Sequence, residues 1–444
     1  MRIYIKTYGC QMNERDSDAA AAMLAADGHS IVDSEENAEL IILNTCSVRD
    51  QAERKAIGKL GILKRLKEIH PDLRFGIMGC MAQSRGTELL KTIPHLDFAV
   101  GTDKIHELPE IVAELARKRK IESTGHDNLK DVDGIDAHLH KNGFSEYITV
   151  MRGCNRFCSY CIVPYARGRE RSRSPESILE EARRLADSGI KEIMLLGQNV
   201  AAYGMESLPR TDDVSPFADL LEQLAEIKGI RRIRFTSPHP AFFNKRLIEA
   251  IANTPKVCKS IHLPLQSGSN RILKAMNRPY TAEQYMEIVN SLKSHCPEIA
   301  FSTDIIVGFP SETDEDFEKT RNIMEQVGYD LAFIFKYSPR KGTKAAELLA
   351  DDVPQEIKEK RNQILLETLA RSSANANDKF VGRTLEVFAE GVSKRNSSRW
   401  SGRTELNKLV VFEPEGTLHN GDILQVRIEH ATSMTLFGRI VSHL

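Results

Sequence analysis

Three cysteines stand within one short run, Cys154-Asn-Arg-Phe-Cys158-Ser-Tyr-Cys161. Three thiolates on one loop can hold three irons of a cubane cluster, and with no fourth cysteine nearby the fourth iron stays open. An open iron can take a small chelating ligand, and the amino and carboxylate groups of S-adenosylmethionine suit it. An electron passed from the cluster then cleaves the sulfonium bond and releases a carbon radical. Two plainer readings stand beside this one. A structural zinc wants four ligands, and no His or Cys lies close by to complete the set. A thioredoxin-like Cys-x-x-Cys leaves Cys154 without a purpose.

Cys10, Cys46 and Cys80 are far apart, yet each follows an apolar run that reads as a strand: Ile5-Lys-Thr-Tyr-Gly-Cys10, Ile41-Ile-Leu-Asn-Thr-Cys46 and Gly76-Ile-Met-Gly-Cys80. In a parallel sheet the C-terminal strand ends share one edge, and ligands bind in the crevice there. Three cysteines at that edge can converge on a second cluster, again with one open iron, where exogenous sulfur could bind. Gly9 and Gly79 let backbone approach it closely. The bland reading is three buried small thiols. Cys258 and Cys296 share no such pattern and read as plain core or surface thiols.

The elements that must position these residues fall into three units. Over 1–118, apolar runs at 3–8, 40–44, 75–78 and 98–100 alternate with amphipathic stretches at 17–26 and 51–69, the pattern of a Rossmann-like parallel sheet with helices on both faces. Residues 119–146 lack a period and read as a linker, whose three histidines, His126, His138 and His140, leave a metal site open as the lesser reading. Over 147–375, six strand candidates (147–151, 192–196, 232–236, 260–265, 300–307 and 331–337) alternate with helices. Ser174-Pro175 marks one helix start, and Thr281 with Gln284 forms a capping box at another. Six repeats are fewer than the eight of a closed barrel, so an open, partial (β/α)6 barrel is expected, with the 154–161 loop at its C-terminal mouth. A long helix over 355–378 leads to 379–444, where short strands at 385–389, 408–412, 423–428 and 436–441 indicate a small all-β barrel.

Composition sets the frame. With 444 residues, 41% hydrophobic and 28% charged, the chain is a multi-domain globular protein, and its net charge of −1 confines any polyanion-binding surface to a local patch. The start is too short an apolar run for a signal peptide, and no later run approaches a membrane span. A cytoplasmic protein is expected, in which eight cysteines suggest metal or redox chemistry before disulfides.

The x3/x2 cysteine spacing, with Tyr160 before the last cysteine, resembles the radical S-adenosylmethionine superfamily. Two three-cysteine sites on a Rossmann-like domain and a partial barrel, with a β-barrel tail, resemble its methylthiotransferase family over essentially the whole chain. Gly9-Cys-Gln-Met-Asn-Glu-Arg-Asp-Ser17, Asn44-Thr-Cys-Ser-Val-Arg49 with Ala52-Glu53, and Gly153 to Gly168 are similar to the branch acting on N6-isopentenyladenosine of tRNA. The sibling acting on a ribosomal-protein aspartate usually has Pro-Lys-Asn where this chain has Gln11-Met12-Asn13; the sibling acting on threonylcarbamoyl adenosine usually departs from Asn-Thr-Cys-Ser-Val-Arg. Gly197-Gln198-Asn199-Val200 matches the family, but Ala201 stands where it commonly has Asn, so no cofactor role carries over to that side chain.

The resemblance implies two 4Fe-4S clusters, the second carrying the sulfur to be transferred. One S-adenosylmethionine would methylate that sulfur, and another would yield the radical that takes hydrogen from adenosine C2, next to the anticodon on its 3′ side. The implied partners are a tRNA anticodon stem-loop, an electron donor of flavodoxin or ferredoxin type and a sulfur source, with the protein a monomer and no membrane involved. Gln198, Ser237, Gln266, Ser267, Asp304 and Gly308 close strands or begin loops at the mouth and, with Tyr160, are candidate cofactor contacts; Lys336 and Tyr337 are weaker ones. The alternative for all of them is ordinary capping of strand ends. Between Gly391 and Thr404 lie Lys394, Arg395, Arg399 and Arg403 with no acid, and Trp400, the single tryptophan, among them. Cations on a barrel loop suit phosphates and an exposed aromatic can stack on a base, and Ser401-Gly-Arg-Thr-Glu405 resembles the TRAM RNA-binding domain. Six arginines from Arg152 to Arg173 could guide RNA into the cleft or pair with acids of the barrel. A non-catalytic RNA-binding protein with structural zinc is the rival of a different class.

Overall fold

The computed structural model describes residues 1–47, 50–117, 120–126 and 143–444, with Asp50 and Gln51 described in backbone only. His138 and His140, and Val48 and Arg49 of the second motif, lie outside the described residues.

The chain begins β1 (Arg2–Tyr8), α1 (Gln11–Ala26), β2 (Ser30–Ile31), β3 (Leu40–Thr45), α2 (Asp50–Ile69), β4 (Arg74–Gly79), α3 (Cys80–Thr92), β5 (Phe98–Val100), α4 (Leu108–Glu114) and β6 (Ile121–Ser123). The strands form one parallel sheet in the order β2-β1-β3-β4-β5-β6. Alternation along β3 shows why. Leu40 and Ile42 pack on one face with Ala20 and Leu24 of α1 and Ile111 of α4. Ile41 and Leu43 pack on the other with Leu60 and Leu63 of α2 and Leu89 of α3. Strands coated on both faces need apolar side chains at nearly every position. The expected linker over 119–146 is corrected at both ends: Ile121–Ser123 is the sheet's sixth strand, and Ser145 already belongs to the next one. β6 has a single apolar side chain, Ile121, too little for a readable pattern. His126 is bound to Asp103 (3.2 Å) and to the carbonyl of Tyr165 (2.9 Å).

The second unit comprises β7 (Ser145–Thr149), β8 (Met151–Arg152), α5 (Val163–Arg167), β9 (Arg171–Ser172), α6 (Pro175–Asp187), β10 (Glu192–Leu196), α7 (Pro216–Ala225), β11 (Arg232–Phe235), α8 (Lys245–Asn253), β12 (Ser260–His262), α9 (Asn270–Ala275), α10 (Ala282–His295), β13 (Ala300–Val307), α11 (Asp314–Val327), β14 (Leu331–Lys336), α12 (Lys344–Leu348) and α13 (Gln355–Asp378). Six parallel strands form two three-stranded sheets, β11-β10-β7 and β12-β13-β14, joined by a parallel bridge between Ile233 and Val257. This is the expected open barrel, with its narrowest pairing in the middle. The two helix starts fold as their caps dictate: Ser174 Oγ accepts from Ser177 N (3.3 Å), and Thr281 and Gln284 exchange hydrogen bonds of 2.9 and 3.2 Å.

The last unit is a closed barrel of β15 (Thr384–Ser393), β16 (Asn396–Arg403), β17 (Leu409–Phe412), β18 (Ile423–Ala431) and β19 (Leu436–His443), in the order β15-β16-β17-β19-β18. β16 reads Asn-Ser-Ser-Arg-Trp-Ser-Gly-Arg, with no apolar alternation, and so was not expected as a strand. The barrel docks on the N-terminal ends of the second unit's strands. Arg232 and Arg234 of β11 donate to the carbonyls of Arg403 and Thr404 (2.9 and 2.8 Å), and Lys408 reaches Asp330 just before β14 (2.5 Å). The mouth lies at the opposite end of the same strands.

Candidate active site

The register of the first sheet aligns Tyr8, Thr45 and Gly79 across β1, β3 and β4. Cys46 and Cys80 are the next residues on their strands, and Cys10 is one step further on. All three therefore leave the same sheet edge. Cys10 precedes the first turn of α1 and Cys80 opens α3, so two helix N-termini face the edge, a setting that favours thiolates and anionic groups. Side chains of the quoted motifs lock the loops together. Asn13 Nδ2 donates to Asn44 Oδ1 (3.0 Å), and Asn44 Nδ2 donates to the carbonyl of Asn13 (2.7 Å) and to Ser17 Oγ (2.9 Å). Gly79 is obligatory here. Its φ is +91°, and a Cβ would stand 2.4 Å from Asn44 Oδ1 and 2.7 Å from the Thr45 carbonyl. Burial pushes the Cys80 thiol up to about 12, against the opposing charge of Arg167 and with the charges of Cys46 and Cys10 adding to the rise.

Arg167 stands at this edge because of a buried ion cluster. Asp16 of α1, fully buried, accepts from Arg152 Nη1 and Arg167 Nη2, each at 2.8 Å. Both arginines flank the other cysteine loop, so the cluster ties the N-terminal sheet to the barrel mouth. Nearby, Arg173 and Arg15 share the buried Glu181, and Arg171 bonds Asp103 (2.8 Å). Of the six arginines from Arg152 to Arg173, four are thus paired with acids, two of which belong to the first unit, not to the barrel.

The loop Cys154–Cys161 leaves β8 at the mouth. Gly153 has φ +82°, and its N–H donates to Gln198 Oε1 (2.5 Å). Burial pushes the Cys154 and Cys161 thiols up to about 12, and the thiols raise one another. Arg278, after α9, brings Nη1 to 3.5 Å from Cys158 Sγ and also bonds the carbonyl of Pro264 (3.1 Å). Among the described residues, no three His, Cys, Asp or Glu side chains are gathered closely enough for a single metal ion.

The remaining expected contacts divide. Tyr160 packs edge-on against Phe309 over the loop (6.5 Å), and Asp304 faces His262 (3.4 Å) on the half-exposed side of β13. Gln266 and Ser237 hold left-handed backbone at the mouth, φ +66° and +58°. Gln198 is a positioning group for the cysteine loop. Ser267 is fully buried, accepts from Ser269 N (3.2 Å) and meets Thr320 Oγ1 (3.4 Å), so its hydroxyl also serves the start of α9. Gly308 matters as a packing position, since a Cβ would lie 2.3 Å from Lys358 Cγ. Lys336 pairs with Glu359 (3.0 Å), and Tyr337 is buried under Phe309 (5.1 Å).

Of the basic group, Lys394 and Arg395 form the exposed tip of the β15–β16 hairpin. Arg399, Trp400 and Arg403 lie on β16, not on a loop. Arg399 approaches Glu413 (3.5 Å), Arg403 is held by Glu390 (3.1 Å), and Trp400 packs half-buried against the barrel core. In the sequence, Asp16 and Asn44 have a place in the quoted motifs but no role, and Arg278 is not singled out. Asp16 carried a signal, being a carboxylate on the apolar stripe of α1 between Met12 and Ala20, where an ion must have a partner. Arg278 carried none, because its partner is 120 residues away.

Three family models match the chain: Radical SAM superfamily over residues 148–324, "uncharacterized protein family UPF0004" over 2–101 and TRAM domain over 378–441. Among curated relatives, proteins named tRNA-2-methylthio-N(6)-dimethylallyladenosine synthase are 45% identical in Opitutus terrae (99% of this chain, 97% of the relative) and 46% in Akkermansia muciniphila (98% of each). Among solved structures, the radical S-adenosylmethionine methyltransferase TsrM of Kitasatospora setae aligns at TM-score 0.57, 12% identity, over 78% of this chain and 77% of its own. The cobalamin-dependent radical enzyme OxsB aligns at 0.52 and 13% identity, over 82% of this chain and 56% of its own. These two likenesses are of fold.

Proposed function

Because the chain belongs to the family of tRNA-2-methylthio-N(6)-dimethylallyladenosine synthases, we propose that it adds a methylthio group to C2 of N6-isopentenyladenosine, 3′ to the anticodon of tRNA, with S-adenosylmethionine as methyl donor and radical source. The observation that carries this reading is the pair of cysteine triads, one at the C-terminal edge of the N-terminal sheet and one in the loop after β7 and β8 at the barrel mouth, in a chain 45% identical to such synthases over nearly its full length.

Cys154, Cys158 and Cys161 are assigned to one 4Fe-4S cluster, and Cys10, Cys46 and Cys80 to the other. When bound, the first cluster would chelate S-adenosylmethionine and deliver an electron to its sulfonium, and the second would carry sulfur. The chain's own groups set these two apart. Arg278 places positive charge at Cys158, and Arg167 places it beside Cys10 and Cys80, which favours anionic sulfur at both sites. Tyr160 of the mouth loop, Phe309 and Tyr337 pack edge to edge and supply an apolar wall beside the loop. Asp304, 3.4 Å from His262, is assigned to accept from hydroxyls of a ligand in the mouth. The exposed Lys394 and Arg395 are assigned to tRNA phosphates. An electron donor and a sulfur source must act from outside, and a cytoplasmic monomer fits. Among the described residues no helix is long and apolar enough to cross a membrane.

The test is anaerobic reconstitution followed by nucleoside analysis of reacted tRNA. Brown protein with iron and sulfide that forms 2-methylthio-N6-isopentenyladenosine is the expected result. Colourless zinc protein, or a methylthio group on threonylcarbamoyl adenosine instead, overturns the reading. Replacing Cys10, Cys46 and Cys80 together by Ala should remove roughly half the iron, as expected for two clusters of equal size, and end methylthio transfer while deoxyadenosine is still made.

A further inference from the structure

At the rim of the mouth, Phe242 carries two guanidiniums against its ring, Arg210 at 4.1 Å and Arg156 at 5.1 Å from the centroid. Like charges gathered on one ring repel each other, and among the described residues neither has a carboxylate at ion-pair distance. The carboxylate whose field reaches Arg210, Glu170, is engaged by the N–H of Asn155 (3.0 Å) and the amide of Asn199 (3.4 Å). Among the described residues, Arg156 Nε is buried without a hydrogen-bond partner. Behind them His239 is 6% exposed. Its Nδ1 accepts from Ala241 N (3.2 Å), so its Nε2 carries the proton, and that donor has no partner either among the described residues. Burial and the charges of Arg278, Arg156 and Arg210 hold this imidazole neutral, so it stays a fixed N–H donor. A cavity of about 270 Å³ opens alongside, lined by Arg210, Asp212, Phe242, Asn244 and Ala201, the position where the family's Asn is replaced; Asp212 is not at ion-pair distance from Arg210.

We propose that Arg156, Arg210 and the His239 Nε2–H form a subsite for a backbone phosphate of the substrate RNA beside the target adenosine. A phosphodiester supplies the missing negative charge and accepts several N–H donors at once. The side of the site facing solvent suits a polymer: Arg210 is exposed. Arg156 is two residues from Cys154 and from Cys158, so a phosphate held there registers the RNA against the reacting centre. The C-terminal barrel, docked at the far end of the strands, cannot provide that register by itself. This subsite rests on the reading of the chain as a tRNA-modifying enzyme.

The experiment is equilibrium binding of a tRNA anticodon stem-loop to the full-length, reconstituted protein across a salt series, for wild type, Arg210→Gln and Arg210→Lys. Iron content and thermal midpoint check that each variant is folded and loaded. Arg210→Gln should weaken binding about tenfold and lower the slope of log K against log salt by about 0.7, the value for one single-strand phosphate contact. Arg210→Lys should keep the slope. Wild-type binding with an unchanged slope in Arg210→Gln overturns the subsite alone. No stem-loop binding by wild type overturns the tRNA reading itself. Weaker S-adenosylmethionine binding by Arg210→Gln without RNA, at an unchanged RNA slope, would show that the anion is the cofactor's carboxylate and sink the proposal.

Discussion

Replacing Asp16 by Asn isolates the contact that joins the two cysteine-bearing units. The Asp16 carboxylate is fully buried and takes one 2.8 Å hydrogen bond from each of Arg152 and Arg167, which are 2% and 4% exposed. Removing the charge of one partner from a buried ion cluster costs about 3–5 kcal/mol, because the remaining cations stay desolvated. The amide keeps one acceptor oxygen, so the lower figure applies, about 3 kcal/mol. For domains of this size each kcal/mol moves the thermal midpoint by about 2–4 °C, giving a fall of roughly 6–12 °C. Burial raises the Asp16 pKa, but Arg167 and Arg152 outweigh it and hold the carboxyl below the usual carboxylate range. A depressed folded pKa contributes stability that is complete above the unfolded value, about 3.9, and is lost as pH falls through the folded one. The gap in midpoint between wild type and variant should therefore be constant from about pH 5 to 8 and close only below about pH 4. The assay is thermal unfolding across pH, with iron content measured in parallel, since Arg167 leaves its place beside Cys10 and Cys80. A variant melting within about 2 °C of wild type with full iron would refute the reasoning, as would a gap that changes between pH 5 and 8.

Further outcomes are expected. Cys158→Ala should abolish reductive cleavage of S-adenosylmethionine to deoxyadenosine while the N-terminal iron remains; cleavage at near-normal rate after reconstitution would remove Cys158 from the ligand set. Gly79→Ala forces a Cβ onto Asn44 Oδ1 and the Thr45 carbonyl at positive φ, and should cost about 1–3 kcal/mol of strain and lower N-terminal iron, read by melting and iron analysis. Replacing Lys394 and Arg395 together by Ala should lower the salt slope of tRNA binding by about 1.4, two single-strand contacts, with the melting curve unchanged. An unchanged slope would take the hairpin tip out of the interface.

Local pattern carried most of the architecture. Both-sided burial writes continuous apolar strands such as Leu40–Thr45, and helix starts such as Ser174-Pro175 announce themselves through backbone donors that only nearby side chains can satisfy. The parallel sheet even placed Cys10, Cys46 and Cys80, because period and handedness put every strand's C-terminal end on one edge. Where a strand is short or polar the pattern vanishes, so β6 and β16 emerged only from their hydrogen-bonded neighbours. Long-range pairing was equally silent. That Asp16 meets Arg152 and Arg167, that Arg278 meets Cys158, that Ser267 turns inward and that Arg156 and Arg210 share Phe242 are matters of which surfaces the packed units bring together. Charge and residue type fix what a side chain can do, but an ion pair between residues 136 positions apart exists only once the fold has excluded water from between them.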